Sequence, residues 1–532
     1  MISYVQLWAA DPTGWHRAAG AWRQGMGLIG SHAVAVAQAA GNLQSNWAGP
    51  AGRSAHQALT VLRARLNASR SLFLEIDQVL AEHATLLAQA KAMLGAAVTA
   101  AASAGVRVDR HGTASLDPAG RPDPRGAAAV RAVADSIQAA LEFATAADRE
   151  TAHRLSDLAA EVTAGYRADP PPDRPSALAD PRAVRDWWER LTPTQRRWLI
   201  EHEPALIGRL DGVPVTARDQ ANRLLLEAQR ADLLERQAQL RAVPQSPGVR
   251  RELARLDGAL AGITAIEARL AADSVPRPYL LALDPAGDGR VVVALGDPDR
   301  ADNVLTYVPG MTSDLPGVDR ELERASRLAR RCTELGPTER TAAVLWLGYD
   351  APDHLHEAAR ASFAHEAGSA LHRFQEGLRA THDGPAAHQT VLGYSYGSLV
   401  VGATARDYGL AVDSLVFVGS PGVGVDHARD LGVPTGQVWS TTARNDVIQY
   451  AAPSVDGVLK RVWTLPGIGP PLSLTRPHEE LWFGHNPSLP GFGGQIFSGS
   501  QQGHVGYWDR DNPALDNMAR IVLGGEHQLA VR

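Results

Sequence analysis

A serine at the centre of the stretch VLGYSYGSLV, residues 391–400, is the strongest candidate for chemistry in this sequence. The apolar run before it and the small, apolar run after it predict a buried strand and a helix joined by a sharp turn. In such a turn Gly393 and Gly397 let the helix pack closely on the strands, while the hydroxyl of Ser395 stands free at the start of the helix. We interpret Ser395 as a nucleophile and the two glycines as its elbow. The alternative is a glycine-rich turn without a chemical role.

A serine nucleophile requires a base, and the base requires an acid that orients it and stabilises its protonated form. Catalytic groups in α/β folds gather where parallel strands end. Asp446 follows the β-prone run QVWSTTA, so it is the preferred acid. Asp426, in GVGVDHARD after the preceding predicted strand, is the second candidate. The competing interpretation of Asp446 is a turn or a cap.

The base should be a histidine that follows the acid and lies beyond a last strand. His504 meets both requirements, because it lies on a glycine-flanked loop after a short predicted strand around Gln495 to Phe497. Three other histidines follow the acid, and we interpret them as surface, capping or terminal residues: His478, His485 and His527.

Acyl transfer also requires N–H donors for the developing oxyanion. The backbone amide of Tyr396, directly after the nucleophile, supplies one donor. The second is predicted in the loop after NVLTYVPG, at Gly310 and Met311, because that strand should lie beside the nucleophile strand. Gly310 would allow the backbone to approach closely, and its alternative interpretation is an ordinary glycine at a strand end.

Short β-prone runs separated by helix-length segments predict a sheet from Tyr279 onward. The first two runs, YLLALD and RVVVALG, are divided only by PAGDG and predict an antiparallel hairpin. The next four, NVLTYVPG, AVLWLGYD, QTVLGYS and DSLVFVGS, are continuous apolar runs, which are typical of parallel strands buried on both faces. The predicted fold class is therefore α/β, a mostly parallel sheet flanked by helices and preceded by a large all-helical region.

The sequence before that sheet is predicted to be helical. Apolar residues from Leu59 to Leu87 repeat at steps of three and four, which predicts a seam against a partner helix from about Trp15 to Leu43. The proline-rich stretch RADPPPDRPSALADP, residues 167–181, predicts a linker. These features divide the chain into three predicted parts: a helical domain at 1–170, a helical segment at 171–272 that leads into or covers the sheet, and the α/β domain at 273–532.

Composition argues against several classes of protein. A net charge of −6 over 532 residues gives no excess of basic residues for binding nucleic acid. The single cysteine, Cys332, excludes an intramolecular disulfide and a thiolate metal cluster. The first residues lack the pattern of a signal peptide, and we expect no membrane-spanning segment. We expect a cytoplasmic protein, or one exported without a cleavable signal peptide.

Six motifs occur in a fixed order: TYVPGMTSD, VLWLGYDAP, VLGYSYGSLV, VFVGSPGVGVDHARDLGV, TTARNDVI and GHVGYWD. Together they resemble the actinobacterial α/β-hydrolase family catalogued as DUF1023. The stretch WWERLTPTQRRWLIEHEPALIGRLDGVPVTARDQANR resembles the helical segment before the hydrolase core in the same family, so the resemblance spans roughly residues 180–520. It implies an α/β-hydrolase fold and serine hydrolase activity without a specific substrate.

By this resemblance Ser395, Asp446 and His504 occupy the nucleophile, acid and base positions. The sequence departs from many related esterases at Tyr394, where they carry a histidine before the nucleophile. The departure leaves the three positions intact and concerns the shape and specificity of the pocket.

The N-terminal helical region, with Trp47-Ala48-Gly49 at its turn, is similar to the WXG100 helical hairpins associated with type VII secretion. That similarity implies docking on a helical partner or on a secretion apparatus. The export signal of such systems is Tyr-x-x-x-Asp/Glu after a helix. It is not matched here, because Asp169 follows Tyr166 by only three residues.

These observations predict a serine hydrolase that cleaves a carboxylic ester, in preference to an amide, of a small-molecule or lipid-like substrate through an acyl-enzyme. Neither a metal nor an organic cofactor is expected. The alternative hypothesis is a type VII secretion-associated interaction protein, or an exported effector, whose helical N-terminal region docks on partners.

Overall fold

The structure of the chain is a computed structural model. It describes residues 1–116, 124–163, 168–272, 274–450, 479–499 and 503–525. Contacts divide the chain into two compact units. The helical unit consists of Met1–Pro171, Thr192–His202 and Ala271–Arg277, and the second unit, here called the α/β unit, consists of Pro172–Leu191, Glu203–Leu270 and Pro278–Arg532.

The first nine α-helices of the described residues precede the large sheet: α1 (Tyr4–Ala9), α2 (Pro12–Asn46), α3 (Pro50–Ser103), α4 (Pro124–Thr163), α5 (Pro181–Arg190), α6 (Pro193–His202), α7 (Pro204–Ile207), α8 (Val215–Arg241) and α9 (Pro247–Ala271). The later ones alternate with its strands: α10 (Val318–Leu335), α11 (Leu355–Ala358), α12 (Ser362–Thr381), α13 (Tyr396–Tyr408) and α14 (Pro513–Val522). Many begin at a proline, whose fixed φ suits the first turn and whose missing N–H would have no helical acceptor there.

In the helical unit, α2 and α3 form an antiparallel hairpin whose turn contains Gly49 at a φ of 119°. The predicted seam of α3 is closed by α2 where Trp22 packs against Phe73 and Trp15 against His83, with ring centroids 4.9 and 4.6 Å apart. A short antiparallel pair, β1 (Val106–Val108) and β2 (Ala114–Leu116), follows α3. The seam is therefore internal packing over this stretch.

Among the described residues, α3 is the helix whose length and mean hydropathy would suffice to cross a membrane. Core helices of soluble proteins have the same two properties, and α3 packs against α2 and α4. Length and composition alone are weak grounds for a membrane span.

The α/β unit is built on an eight-stranded sheet. Its strands are β3 (Pro278–Asp284), β4 (Arg290–Leu295), β5 (Asn303–Val308), β6 (Thr341–Leu347), β7 (His388–Tyr394), β8 (Ser414–Val418), β9 (Val438–Thr441) and β12 (Gln495–Ile496). A separate two-stranded ribbon pairs β10 (Glu480–Leu481) with β11 (Gly484–His485).

The strand order is β12-β9-β8-β7-β5-β6-β4-β3. The pairs from β12 to β6 are parallel, and β4 is antiparallel to both β6 and β3. Helix α10 packs with α14 and helix α12 packs with α13, and these helices cover the sheet. The predicted α/β class, with an opening hairpin and a mostly parallel sheet, is confirmed. Its core strands are buried on both faces, as continuous apolar runs require.

The edge strand β3 is sealed by polar side chains of α8. Asn222 Nδ2 donates to the Leu280 carbonyl at 3.1 Å, and the Leu280 N–H donates to Asp219 Oδ1 at 2.8 Å. Arg223, which is ion-paired with Asp219, donates to the Pro278 carbonyl at 3.0 Å. Because an open strand edge would otherwise pair with another chain, α8 protects the sheet. It covers this edge rather than β7, the strand before Ser395, which is separated from β3 by β5, β6 and β4.

Contacts give two units where three parts were predicted, and most of the segment at 171–272 belongs to the α/β unit, as Pro172–Leu191 and Glu203–Leu270. Residues Thr192–His202, which contain α6, belong to the helical unit, as do Ala271–Arg277. In the helical unit Arg197 of α6 pairs with Glu161 of α4, a contact that sequence spacing does not show.

Candidate active site

Ser395 lies between β7 and α13, at the predicted strand-to-helix turn. Its backbone has φ 53° and ψ −125°, a strained conformation for a residue with a side chain. The glycines on either side are required by packing. A Cβ on Gly397 would lie 2.2 Å from the Val308 carbonyl oxygen, and one on Gly393 would lie 2.6 Å from the Cα of Ser398. The turn therefore holds the serine hydroxyl in a fixed place at the end of the strand.

His504 and Asp446 form a continuous hydrogen-bonded path with Ser395. His504 Nε2 lies 3.0 Å from Ser395 Oγ, and His504 Nδ1 lies 3.0 and 2.9 Å from the two carboxylate oxygens of Asp446. With Nδ1 donating to the carboxylate, Nε2 is the acceptor for the serine proton. Asp446 is buried, whereas the His504 side chain is 28% exposed. The arrangement can deprotonate Ser395 and stabilise the imidazolium that results.

The two other candidates that the structure describes, Asp426 and His485, lie away from this path. Asp426 is exposed and lies against Gly484. His485 Nδ1 lies 3.2 Å from Glu480 Oε1 in the β10–β11 ribbon. Two further histidines lie outside the described residues: His478 and His527.

The loop after β5 abuts Ser395, because β5 pairs with β7. A Cβ on Gly310 would lie 2.7 Å from Ser395 Cβ and 3.2 Å from Ser395 Oγ. Tyr349 fixes this loop, because its hydroxyl donates to the Pro309 carbonyl at 2.7 Å. The predicted donor Met311 is the next residue of the loop and is half-buried.

Tyr396 is the first residue of α13, where a backbone N–H has no acceptor within the helix. The two predicted oxyanion donors therefore lie on the two segments that meet at Ser395. No group of three or more histidine, cysteine or acidic side chains suited to a metal ion is found in the described part of the chain.

Comparison with known proteins places the chain in a family. Residues 284–456 match the family described as alpha/beta hydrolase. The chain is 32% identical over 219 residues to the uncharacterized protein Rv0963c of Mycobacterium tuberculosis, a match that covers 39% of this chain and 81% of that protein. The chain belongs to the alpha/beta-hydrolase family.

A second relative covers more of this alpha/beta hydrolase. The uncharacterized protein Rv2079 of Mycobacterium tuberculosis is 29% identical over 465 residues, or 77% of this chain and 70% of that protein. No solved structure matches the chain.

Sequence reasoning missed several residues that shape the site of the hydrolase. Gly419, after β8, has φ 55°, and a Cβ there would lie 3.0 Å from Asp446 Oδ2 and 3.2 Å from His504 Nδ1. Asn445 Oδ1 accepts a hydrogen bond of 2.8 Å from the N–H of Gly503, next to the histidine. A glycine directly after a parallel strand, as in VFVGSPG, was the available signal for Gly419.

Two tyrosines hydrogen-bond to Asp446 and to His504. Tyr507 donates to Asp446 Oδ2 at 2.6 Å, and Tyr394 donates to the His504 backbone carbonyl at 2.7 Å. The Tyr394 ring also stacks on the imidazole of His504, with centroids 5.1 Å apart, and the Arg324 guanidinium lies 4.8 Å from the centre of the same ring. The motif GHVGYWD, which places Tyr507 three residues after His504, was the signal for the first of them.

Proposed function

We propose that this alpha/beta hydrolase is a serine hydrolase that cleaves a carboxylic ester through an acyl-enzyme on Ser395. The observation that carries the proposal is the path from Ser395 Oγ through His504 to Asp446, with spacings of 3.0 Å and 2.9–3.0 Å. Its position on a strained strand-to-helix turn adds to this, because such a turn presents a nucleophile above the sheet.

In the proposed mechanism Ser395 Oγ attacks the ester carbonyl as His504 Nε2 takes its proton. Asp446 orients the imidazole and stabilises its charged form. The N–H groups of Tyr396 and of the Gly310–Met311 loop bind the oxyanion. His504 then protonates the departing alcohol, and a water molecule, activated by the same imidazole, releases the acid from Ser395.

The preference for a small-molecule or lipid-like ester is supported by apolar side chains beside the acid and the base. Val447 follows Asp446 and is 72% exposed, and Val505 follows His504 and is 67% exposed. Exposed apolar groups next to reacting residues favour a substrate with an apolar substituent. An ester is preferred to an amide because alcohols leave more readily than amines.

Labelling with a fluorophosphonate probe tests the nucleophile. The folded wild type should be labelled, Ser395→Ala should not be, and His504→Ala should react at least about 10³-fold more slowly. His485→Ala is the matched histidine control and should be labelled at the wild-type rate, because His485 pairs with Glu480 instead of the serine. Labelling that persists in Ser395→Ala, or its absence from folded wild type, would contradict the proposal.

Substrate class is tested with the same protein. A series of p-nitrophenyl esters of increasing acyl length, with the p-nitroanilide of the best acyl group, separates ester from amide cleavage. We expect faster turnover of the esters, with kcat/KM rising as the acyl chain lengthens by the first few methylenes. Preference for the anilide would contradict the assignment to esters.

We infer a second function, docking of the helical unit on a helical partner or a secretion apparatus, from apolar side chains on its surface. Leu28 is 66% exposed, Trp47 51% and Trp8 52%. Such a protein would reside in the cytoplasm or be exported without a cleavable signal peptide. Fractionation of producing cells, comparing wild type with Leu28→Ser and Trp47→Ser, tests this. Export of the wild type that is lost in the variants supports docking, and identical distribution of all three contradicts it.

A further inference from the structure

We propose that Tyr507 is a positioning residue that holds the Asp446 carboxylate turned toward His504, and so sets the pH range in which Ser395 reacts. This rests on the proposed serine hydrolase function. Tyr507 touches neither Ser395 nor the imidazole in any described hydrogen bond, and it acts through the carboxylate.

The direction of the Tyr507 hydrogen bond is fixed by a second contact. The backbone N–H of Ala443 donates to the Tyr507 oxygen at 2.8 Å. The phenolic hydrogen is therefore left to point at Asp446 Oδ2, 2.6 Å away. Burial and the neighbouring charge of Asp446 raise the pKa of Tyr507 well above its usual value, so the phenol stays a donor.

The described hydrogen-bond donors to the Asp446 carboxylate carry no permanent charge. Tyr507 donates to Oδ2, the backbone N–H of Ile448 donates to Oδ1 at 3.0 Å, and His504 Nδ1 faces both oxygens. A Cβ at Gly419 would lie 3.0 Å from Oδ2, the oxygen that accepts the Tyr507 hydrogen bond. Removing the phenol would therefore leave Oδ2 with only the imidazole among these donors.

Two consequences follow from that loss. With fewer donors to share its charge, the carboxylate would hold the proton on the imidazolium more tightly. The rise in the reaction rate with increasing pH would therefore begin at a higher pH. The carboxylate could also rotate, so the imidazole would be aimed less well at Ser395 and the maximum rate would fall.

A matched control exists in the same unit. Tyr307 is buried like Tyr507, and its hydroxyl donates to a buried carboxylate, Glu321 Oε2, at 2.7 Å. Glu321 is ion-paired with Arg324, whereas Asp446 faces the histidine. Tyr307→Phe therefore removes an equivalent buried hydrogen bond without touching the carboxylate that faces His504.

The experiment measures the rate of fluorophosphonate labelling of Ser395 from pH 5 to pH 10 in wild type, Tyr507→Phe and Tyr307→Phe. We expect Tyr507→Phe to lower the plateau by about tenfold, the effect of one hydrogen bond to a charged group, and to move the rising limb to higher pH. Tyr307→Phe should lower the unfolding temperature and leave the limb in place. In an Asp446→Asn background, Tyr507→Phe should no longer move the limb.

The proposal would be overturned if the rising limb of the pH–rate profile stays in place in Tyr507→Phe or moves equally in Tyr307→Phe. It would also be overturned if Tyr507→Phe still moves the limb in the Asp446→Asn background. An independent readout separates this from failure of the proposed function. If folded wild type is not labelled at all, the serine hydrolase assignment fails. The NMR titration of the His504 imidazole, assigned with His504→Gln, then tests Tyr507 alone, and equal midpoints in wild type and Tyr507→Phe would overturn its role.

Discussion

Asp77 of the helical unit and Asp446 of the α/β unit are both completely buried, and their carboxylates are satisfied in opposite ways. In the helical unit Asp77 of α3 is held by two arginines: Arg23 of α2, at 2.9 and 3.2 Å, and Arg277, at 2.6 Å. In the α/β unit the described donors to Asp446 are a phenol, a backbone N–H and an imidazole, none of which carries a permanent charge.

The difference concerns where the balancing charge comes from. The charge of Asp77 is balanced permanently by the arginines, so it holds the helices around it in place. It is not available to stabilise a positive charge that forms during a reaction. The charge of Asp446 is balanced only when His504 gains a proton. A buried carboxylate surrounded by neutral donors can therefore stabilise a transient cation, and burial strengthens that effect because water does not screen it.

Replacing Asp446 should break the reactive half of this comparison. Asp446→Asn keeps the size of the side chain but removes the charge and places an amide beside Nδ1, which favours the wrong imidazole tautomer. We expect kcat for a p-nitrophenyl ester to fall by about 10⁴-fold with little change in the unfolding temperature. Asp426→Asn, at the exposed runner-up position, is the control and should keep full activity. A loss below tenfold in Asp446→Asn would contradict the assigned role.

Replacing Asp77 should break the structural half. Asp77→Ala leaves Arg23 and Arg277, both nearly buried, without the carboxylate between them, which costs about 3–5 kcal/mol of unfolding free energy. Urea unfolding followed by circular dichroism measures this. Asp157→Ala, at a side chain 63% exposed in the same unit, should change stability by less than about 0.5 kcal/mol. Equal effects of the two substitutions would show that the arginine pair around Asp77 contributes nothing.

Much of the α/β unit could be predicted because its signals are local. Continuous apolar runs identify buried strands, and Gly-x-Ser-x-Gly identifies the turn that Ser395 occupies. Chain order then limits the acid and the base to a few residues, since parallel strands end at the same edge of the sheet. The structure brings two of them, Asp446 and His504, to Ser395.

What could not be predicted depends on contacts between distant segments. Spacing does not show that Tyr507 reaches Asp446, or that Gly419 leaves room for Asp446 and His504, because these contacts exist only once the strands are paired. The same holds for α8, whose Asp219 and Asn222 interrupt a leucine-rich helix in the sequence. Both side chains hydrogen-bond to the backbone of β3, about 60 residues further along the chain.

A third carboxylate sharpens the comparison, because it is surrounded by charges of its own sign. Asp288, in the turn between β3 and β4, is half-buried, and burial, a hydrogen bond with Asp350 and the nearby charges of Asp353 and Asp314 raise its pKa from 3.8 to about 6. Arginines hold Asp77 and neutral donors hold Asp446, whereas Asp288 is stabilised in the folded state only when it is protonated.

This sets the sign of its effect on stability. Because the pKa in the folded state lies above the ordinary value, the contribution of Asp288 is favourable in acid and is lost as pH rises from about 4 to 6. Asp288→Asn removes that loss, so the stability of the variant relative to wild type should be greater at pH 8 than at pH 4.5. The gain should be about 1 kcal/mol, since solvent screens a half-exposed group.

Buried Asp299, whose pKa is also raised to about 6, titrates over the same range in both proteins and cancels in the difference. Urea unfolding at the two pH values measures the effect, with Asp232→Asn on the exposed face of α8 as the control. A difference that does not change with pH would mean that the neighbouring carboxylates do not act on Asp288.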